Sequence, residues 1–191
     1  MAGALAAVVA GLGGCEGPPR RPQFPEITFR HLPPIRLDVR EIRFTQAYRA
    51  PAAAPNVDHL FPVPPADAAL RWGRDRLVAA GAGRRGEYVV REASVIEVPL
   101  EKSGGLSGLL TTEQSERYDA RLVVEMRIVE DDGRVAGTAT AEVVRSRSVP
   151  EGITLNEREK VWFEMTETLM RELNAQLEKT ITTVFAPYVV R

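Results

Sequence analysis

Between residues 118 and 128 the chain alternates almost strictly. Tyr118, Ala120, Leu122, Val124, Met126 and Ile128 share one parity, and Asp119, Arg121, Glu125 and Arg127 fall on the other. A period of two predicts a strand with one buried and one wetted face. Asp131-Asp132-Gly133 supplies a turn, and Val135–Ser148 returns as a partner, which predicts an antiparallel hairpin. The returning strand sets Val135, Gly137, Ala139, Ala141 and Val143 on one parity, small residues over which another element can approach closely.

A helix is the natural partner for that surface. Thr154 and Asn156, each followed three residues later by Glu157 and Glu159, are capping-box starts. Val161, Met165, Leu169, Leu173, Leu177, Ile181 and Phe185 then recur every fourth residue. A helix with 3.6 residues per turn advances by about 40° at each such step, so the stripe winds. Winding suits a long helix laid across a twisted sheet and not a coiled-coil seam, whose spacing alternates three and four. Trp162 and Met170 broaden the buried side.

Earlier in the chain, Ile35, Leu37 and Val39 alternate and Ile42 and Phe44 continue on the other parity, predicting one strand with a bulge near Arg40. Five prolines between Ala50 and Pro65 exclude a regular element there. Pro64 and Pro65 suit a helix start, with Ala68, Leu70, Trp72, Leu77 and Val78 on its apolar side and Gly81 as its stop. Tyr88–Val98, rich in β-branched residues and closed by Pro99, reads as the next strand, with its buried face undecided. The order βαβββα predicts an α+β, two-layer fold: one antiparallel sheet of about four strands, two helices on one face, and a long C-terminal helix.

Ahead of this domain, expected over 35–191, the pattern changes twice. Residues 1–14 are free of charge and apolar or small, as in a secretory signal, and too few to span a bilayer. No Lys or Arg precedes Arg20, so the basic end of that signal is expected upstream of residue 1. Residues 15–34 carry Pro18, Pro19, Pro22, Pro25, Pro33 and Pro34 and read as a tether reaching at most about 50–60 Å. Ile27 and Phe29 alternate within it and are suited to dock on the domain.

Leu12-Gly13-Gly14-Cys15, closing the apolar run, resembles the lipobox of bacterial lipoproteins. The resemblance implies that Cys15 becomes the mature N-terminus, with diacylglycerol on its sulfur and an acyl chain on its amine. Several acyl chains, at about 0.8 kcal/mol per buried methylene, make release from a membrane negligible. Glu16 stands where Asp retains such proteins at the inner membrane in enteric bacteria, which favours the outer membrane, with the domain in the periplasm. Cys15 is the sole cysteine, so no disulfide forms within the chain and the domain is held by its core.

Element order, together with Cys15 and its lipobox, Trp72 in the first helix, the Tyr118–Ile128 strand and the long last helix, resembles two groups of bacterial envelope lipoprotein. These are the auxiliary lipoproteins of ABC-type lipid transport systems and the lipoprotein that plugs the lipopolysaccharide-assembly barrel. The resemblance implies fold, anchoring and an accessory role beside an envelope transporter or outer-membrane assembly protein.

Chemistry-bearing patterns do not assemble into a catalytic set. Gly81-Ala82-Gly83-Arg84-Arg85-Gly86 has the dinucleotide-binding spacing but ends a helix and leads into a strand, the reverse of what the motif requires. Gly105-Leu106-Ser107-Gly108 begins like a nucleophile elbow, yet Leu109 replaces its last glycine and no histidine follows. His31 and His59 are separated and offer no metal cluster, and Asp131 and Asp132 are accounted for by their turn. With 25 Lys and Arg against 26 Asp and Glu, the chain lacks the basic stripe of a nucleic-acid binder; Arg84–Arg85 and Arg145–Arg147 are only small basic spots.

Glu101–Arg117 is a long connection holding Leu106, Leu109 and Leu110, which are expected either to contact a partner or membrane or to fold back over the sheet. The expectation is therefore a non-catalytic, cofactor-free, membrane-anchored accessory lipoprotein. A lipid-binding or carrier domain of the periplasm is the alternative.

Overall fold

The computed structural model describes residues 23–101 and 114–190. The chain runs β1 (Ile35–Leu37), β2 (Glu41–Gln46), α1 (Pro65–Arg76), β3 (Leu77–Ala79), β4 (Arg85–Pro99), β5 (Gln114–Val129), β6 (Val135–Pro150) and α2 (Leu155–Val184), with 3-10 turns at Asp58–Leu60 and Ala186–Tyr188. Four strands form one sheet in the order β2-β4-β5-β6, and both helices pack on the same face of it.

The β5–β6 hairpin forms as its alternation predicts. Tyr118, Ala120, Leu122, Val124, Met126 and Ile128 are all buried, and so are Ala139, Ala141 and Val143 opposite them. Gly137 completes the close approach: a Cβ there would stand 3.0 Å from the Phe185 ring at the end of α2. The helix starts at the Thr154 capping box, where Glu157 N–H donates to Thr154 Oγ1 and Thr154 N–H to the Glu157 carboxylate. At 30 residues it is about 45 Å long, enough to cross the whole sheet.

Three features differ from the sequence expectation. The first strand is two strands, because Val39 N–H turns back onto Leu37 O and Asp38 N–H is taken by Tyr188 O near the C-terminus. Only β2 joins the main sheet, and it pairs with β4 in parallel, so the sheet is mixed and not wholly antiparallel. α1 stops at Arg76, and Leu77–Ala79 leave it to form a second, two-stranded parallel sheet with β1. Leu77, assigned to a helix face by spacing, is buried there as a strand residue opposite Ile35.

The face of β4 becomes legible once its bulge is known. The register against β5 slips between Val90 and Glu92, which keeps Tyr88 and Val90 and then Ala93 and Val95 pointing inward. The opposite face of the sheet is wet and laced with cross-strand ion pairs: Arg127 to Glu87 at 2.7 Å, Arg91 to Glu125 at 2.6 Å, and Arg121 to both Glu92 and Glu142.

Candidate functional site

The segment from Phe24 to Leu32 lies over the outer side of the two helices as a strap. Asp75, in the last turn of α1, fixes its middle. The Asp75 carboxylate accepts the Phe29 N–H at 2.9 Å, the Thr28 hydroxyl at 2.8 Å and the Arg30 Nε at 3.1 Å. Its side chain is 3% exposed. Burial alone pushes the Asp75 carboxyl up, but the Phe29 amide, the Thr28 hydroxyl and the Arg30 guanidinium outweigh it and hold it below the ordinary carboxylate value. Phe29 is buried, and Ile27 and Leu32 pack against the core beside it. At the strap's N-terminal end Phe24 stacks on Phe163 of α2, ring centroids 5.0 Å apart, and Glu26 pairs with Arg71 of α1.

Strap and α2 together enclose a groove of about 430 Å³. Its walls include Ile27, Phe29, Phe163 and Met170, and its rim carries Glu167 and Arg171. Beneath it the helices are joined by Asn174, whose Oδ1 accepts from Trp72 Nε1 at 2.8 Å and from Arg76 at 3.3 Å. Arg76 is buried, reaches Glu178 at 3.3 Å, stands 5.9 Å from the Trp72 ring, and leaves its Nε without an acceptor.

A second cluster sits where β4 and β5 meet the connection between them. Arg158 of α2 donates to Tyr118 Oη at 2.9 Å and pairs with Glu116 at 2.8 Å and Glu97 at 3.6 Å. Tyr118 in turn donates to Glu116, and burial followed by this bond raises its phenol above the ordinary value. The cluster clamps α2 to the strand ends. A smaller cleft of about 260 Å³ lies between β6 and α2, lined by Arg145, Arg147, Glu164 and Met165.

The sequence candidates separate as follows. Cys15, Leu106, Leu109 and Leu110 lie outside the described residues. The Gly81–Gly86 run leads from β3 into β4, its last two residues opening that strand, and a Cβ on Gly81 would meet Asp38 Oδ1 at 2.1 Å and the Asp38 and Val39 backbone at under 3 Å. Its first glycine therefore serves chain packing. Arg84 is taken up by Glu130 and Asp38, and Arg85 by Glu87, so this basic spot is neutralised. Arg145 pairs with Glu172 at 2.5 Å. His31 stacks on Phe29 and His59 is exposed in the 3-10 turn. Among the described residues no group of three or more His, Cys, Asp or Glu is placed to hold a metal ion.

Asp75 and Asn174 escaped the sequence reading. Each is a polar residue close to an apolar stripe, and the available signal was compositional: a tryptophan indole N–H and an arginine four residues apart on α1 require an acceptor from elsewhere.

No protein-family model matches the chain, and no curated protein matches it. Among solved structures it is similar to a Xanthomonas campestris protein of family DUF330, at 13% identity over 88% of this chain and 96% of that one, TM-score 0.40. It is also similar to rare lipoprotein B of Shewanella oneidensis, at 12% identity over 75% and 95%, TM-score 0.39. A minor lipoprotein of Acinetobacter baumannii aligns at 12% identity over 81% and 99%, TM-score 0.32.

Proposed function

We propose that this chain is an envelope lipoprotein, anchored through Cys15 with its domain in the periplasm, and that it serves as a non-catalytic accessory subunit of an envelope transport or assembly system. The carrying observation is continuity between anchor and strap. Cys15, closing a lipobox-like Leu12-Gly13-Gly14-Cys15, stands nine residues before Phe24, where the strap begins, and the strap is fixed to both helices through Phe163, Arg71 and Asp75. In this reading a lipid at Cys15 joins the chain a few residues ahead of a segment that is fastened to both helices. Among the described residues no helix is long and apolar enough to cross a membrane, so such an anchor is what supplies attachment in this reading. The outer membrane is favoured over the inner by Glu16.

Changing Cys15 to Ala should move the protein from the membrane to the soluble fraction. In-cell crosslinking of the native chain should then recover a transporter or an outer-membrane assembly protein. Recovery of no envelope protein above background overturns the accessory role.

One observation favours a second reading, a lipid-binding domain. The groove under the strap has apolar walls of Ile27, Phe29, Phe163 and Met170 and a charged rim, which suits an acyl chain with a polar head. Native mass spectrometry decides it: a co-purified lipid lost on Met170→Arg supports the carrier, and a ligand-free spectrum counts against it.

A further inference from the structure

The outer edge of β6 is covered along one part and open along another. Among the described residues β6 has β5 on one side and no strand on the other. The Glu142 N–H points outward, where Gln176 Oε1 of α2 accepts it at 3.2 Å. Val144, Ser146 and Ser148 share the parity of Glu142 in an unbroken register with β5, so they too direct N–H and C=O outward. Gln176 covers the edge at Glu142. Beyond it Val144–Ser148 are all exposed, and within that stretch the Val144 carbonyl accepts from Arg145 Nη1 at 3.0 Å.

A helix wall runs beside the open part. The cleft of about 260 Å³ lies between Arg145, Ser146 and Arg147 of β6 and Val161, Glu164, Met165 and Thr168 of α2, which form one side of the helix at three- and four-residue steps. Ser146 meets this cleft with its main chain, because its hydroxyl is turned to the far face of the sheet and donates to Asp119 Oδ1 at 2.6 Å. On that far face Val144 stands 52% exposed, an apolar side chain beside an ion-paired surface. One added strand would cover all three: it pairs with the outward backbone groups, fills the cleft from one side and shields Val144 from the other.

We infer that the Val144–Ser148 edge of β6 receives an extended segment of another protein as a fifth strand of the sheet, with an apolar side chain of that segment seated over Val161 and Met165. The inference deepens the accessory reading and rests on it for a partner to exist. Arg145 is held by Glu172 at 2.5 Å and Arg147 meets Glu164 at 4.0 Å, so the cleft selects a neutral residue by shape. A second copy of this chain fits poorly. Antiparallel pairing of the stretch with itself, centred on Ser146, sets Arg145 opposite Arg147 twice over, and like charges directly opposite destabilise a sheet.

Random peptides displayed on phage are the probe, panned against the full-length chain. Enriched peptides should alternate apolar and polar residues and should slow hydrogen exchange at the Ser146 and Ser148 amides by about tenfold or more. Ser146→Pro deletes one outward N–H and leaves the ladder to β5 intact, a position at which an edge strand tolerates proline. It should weaken capture about tenfold, whereas Ser146→Ala keeps the N–H and should change capture less than about twofold. If Ser146→Pro melts early, Thr168→Trp fills the cleft from the helix side and takes its place, with the same loss expected.

No enriched peptide, protection confined to other amides, or equal capture by the native and Ser146→Pro chains overturns the inference. A dimer that Ser146→Pro dissociates overturns the choice of occupant. These results are read on the purified chain, so an empty crosslinking result in cells strikes the accessory role and leaves them standing.

Discussion

The indole N–H of Trp72 donates to the side-chain oxygen of Asn174 across 2.8 Å, and this bond joins the middle of α1 to the middle of α2. Both groups are withdrawn from water by the same packing, since Trp72 is fully buried and Leu173 and Leu177 beside Asn174 are too. Asn174→Leu leaves the indole N–H without an acceptor and strips Arg76 of one of its two polar partners. The expected loss is about 2–3 kcal/mol, read as a lower urea midpoint at unchanged slope. An unchanged midpoint means the indole finds another acceptor and the bond is dispensable.

Arg76 should behave in the opposite way. Its guanidinium is buried, its Nε meets no acceptor, and its ion-pair partner Glu178 is half exposed and can be rehydrated. Arg76→Met keeps the aliphatic bulk against Trp72 and removes a charge that is costly to desolvate, so stability should hold or rise by up to about 1 kcal/mol. Thermal denaturation beside Asn174→Leu checks the pair, and a fall of about 3 kcal/mol for Arg76→Met would show that its ion pair outweighs its desolvation.

Acid should release the strap before it unfolds the sheet. Asp75 has its carboxyl held below the ordinary value in the folded chain, whereas unfolded it titrates near 3.9. Its contribution is therefore fully present above the unfolded value and is lost as pH falls through the lower folded one. Following the Phe29 amide by NMR should reveal a transition below about pH 4 that is absent in Asp75→Asn. A midpoint well above pH 4, or the same curve in the variant, removes Asp75 as the group responsible.

Two glycines of one motif should respond very differently. Gly81→Ala drives a methyl group into the Asp38 side chain and the Asp38–Val39 backbone, where relief requires moving β1 away from its neighbours. Gly83→Ala meets only Asp131 Oδ2 at an ordinary 3.6 Å. The expected costs are about 3 kcal/mol or more for the first and within about 0.5 kcal/mol for the second, measured by calorimetry. Equal costs would mean that the loop adjusts freely and that Gly81 has no packing role.

What could be read from the chain follows from where water lies. β5 and β6 were legible because one face is core and the other carries Asp119, Arg121, Glu125 and Arg127. α2 was legible because its buried positions, from Met165 through Leu169, Leu173 and Leu177 to Ile181, repeat the winding stripe. The split of β1 from β2 was hidden because it depends on partners from far along the chain: Tyr188 O takes Asp38 N–H and Gly83 O takes Arg40 N–H. Parallel pairing of β2 with β4 was hidden for the same reason, since apolar alternation fixes a face and not a direction. Leu77 and Val78 extended the helical pattern of α1 but were captured by pairing with Ile35 and Arg36. For the strap, Ile27 and Phe29 signalled docking, whereas its fastening point, Asp75, carried no signal that a local pattern could report.

The strap also sets an order of events. Synthesis delivers Phe24–Leu32 first, yet one of its two supports, α2, is the last helix of the chain to be made. Until Phe163 and Met170 have emerged and settled on the sheet, the groove that receives the strap does not exist. Full closure of the strap therefore waits for the long last helix.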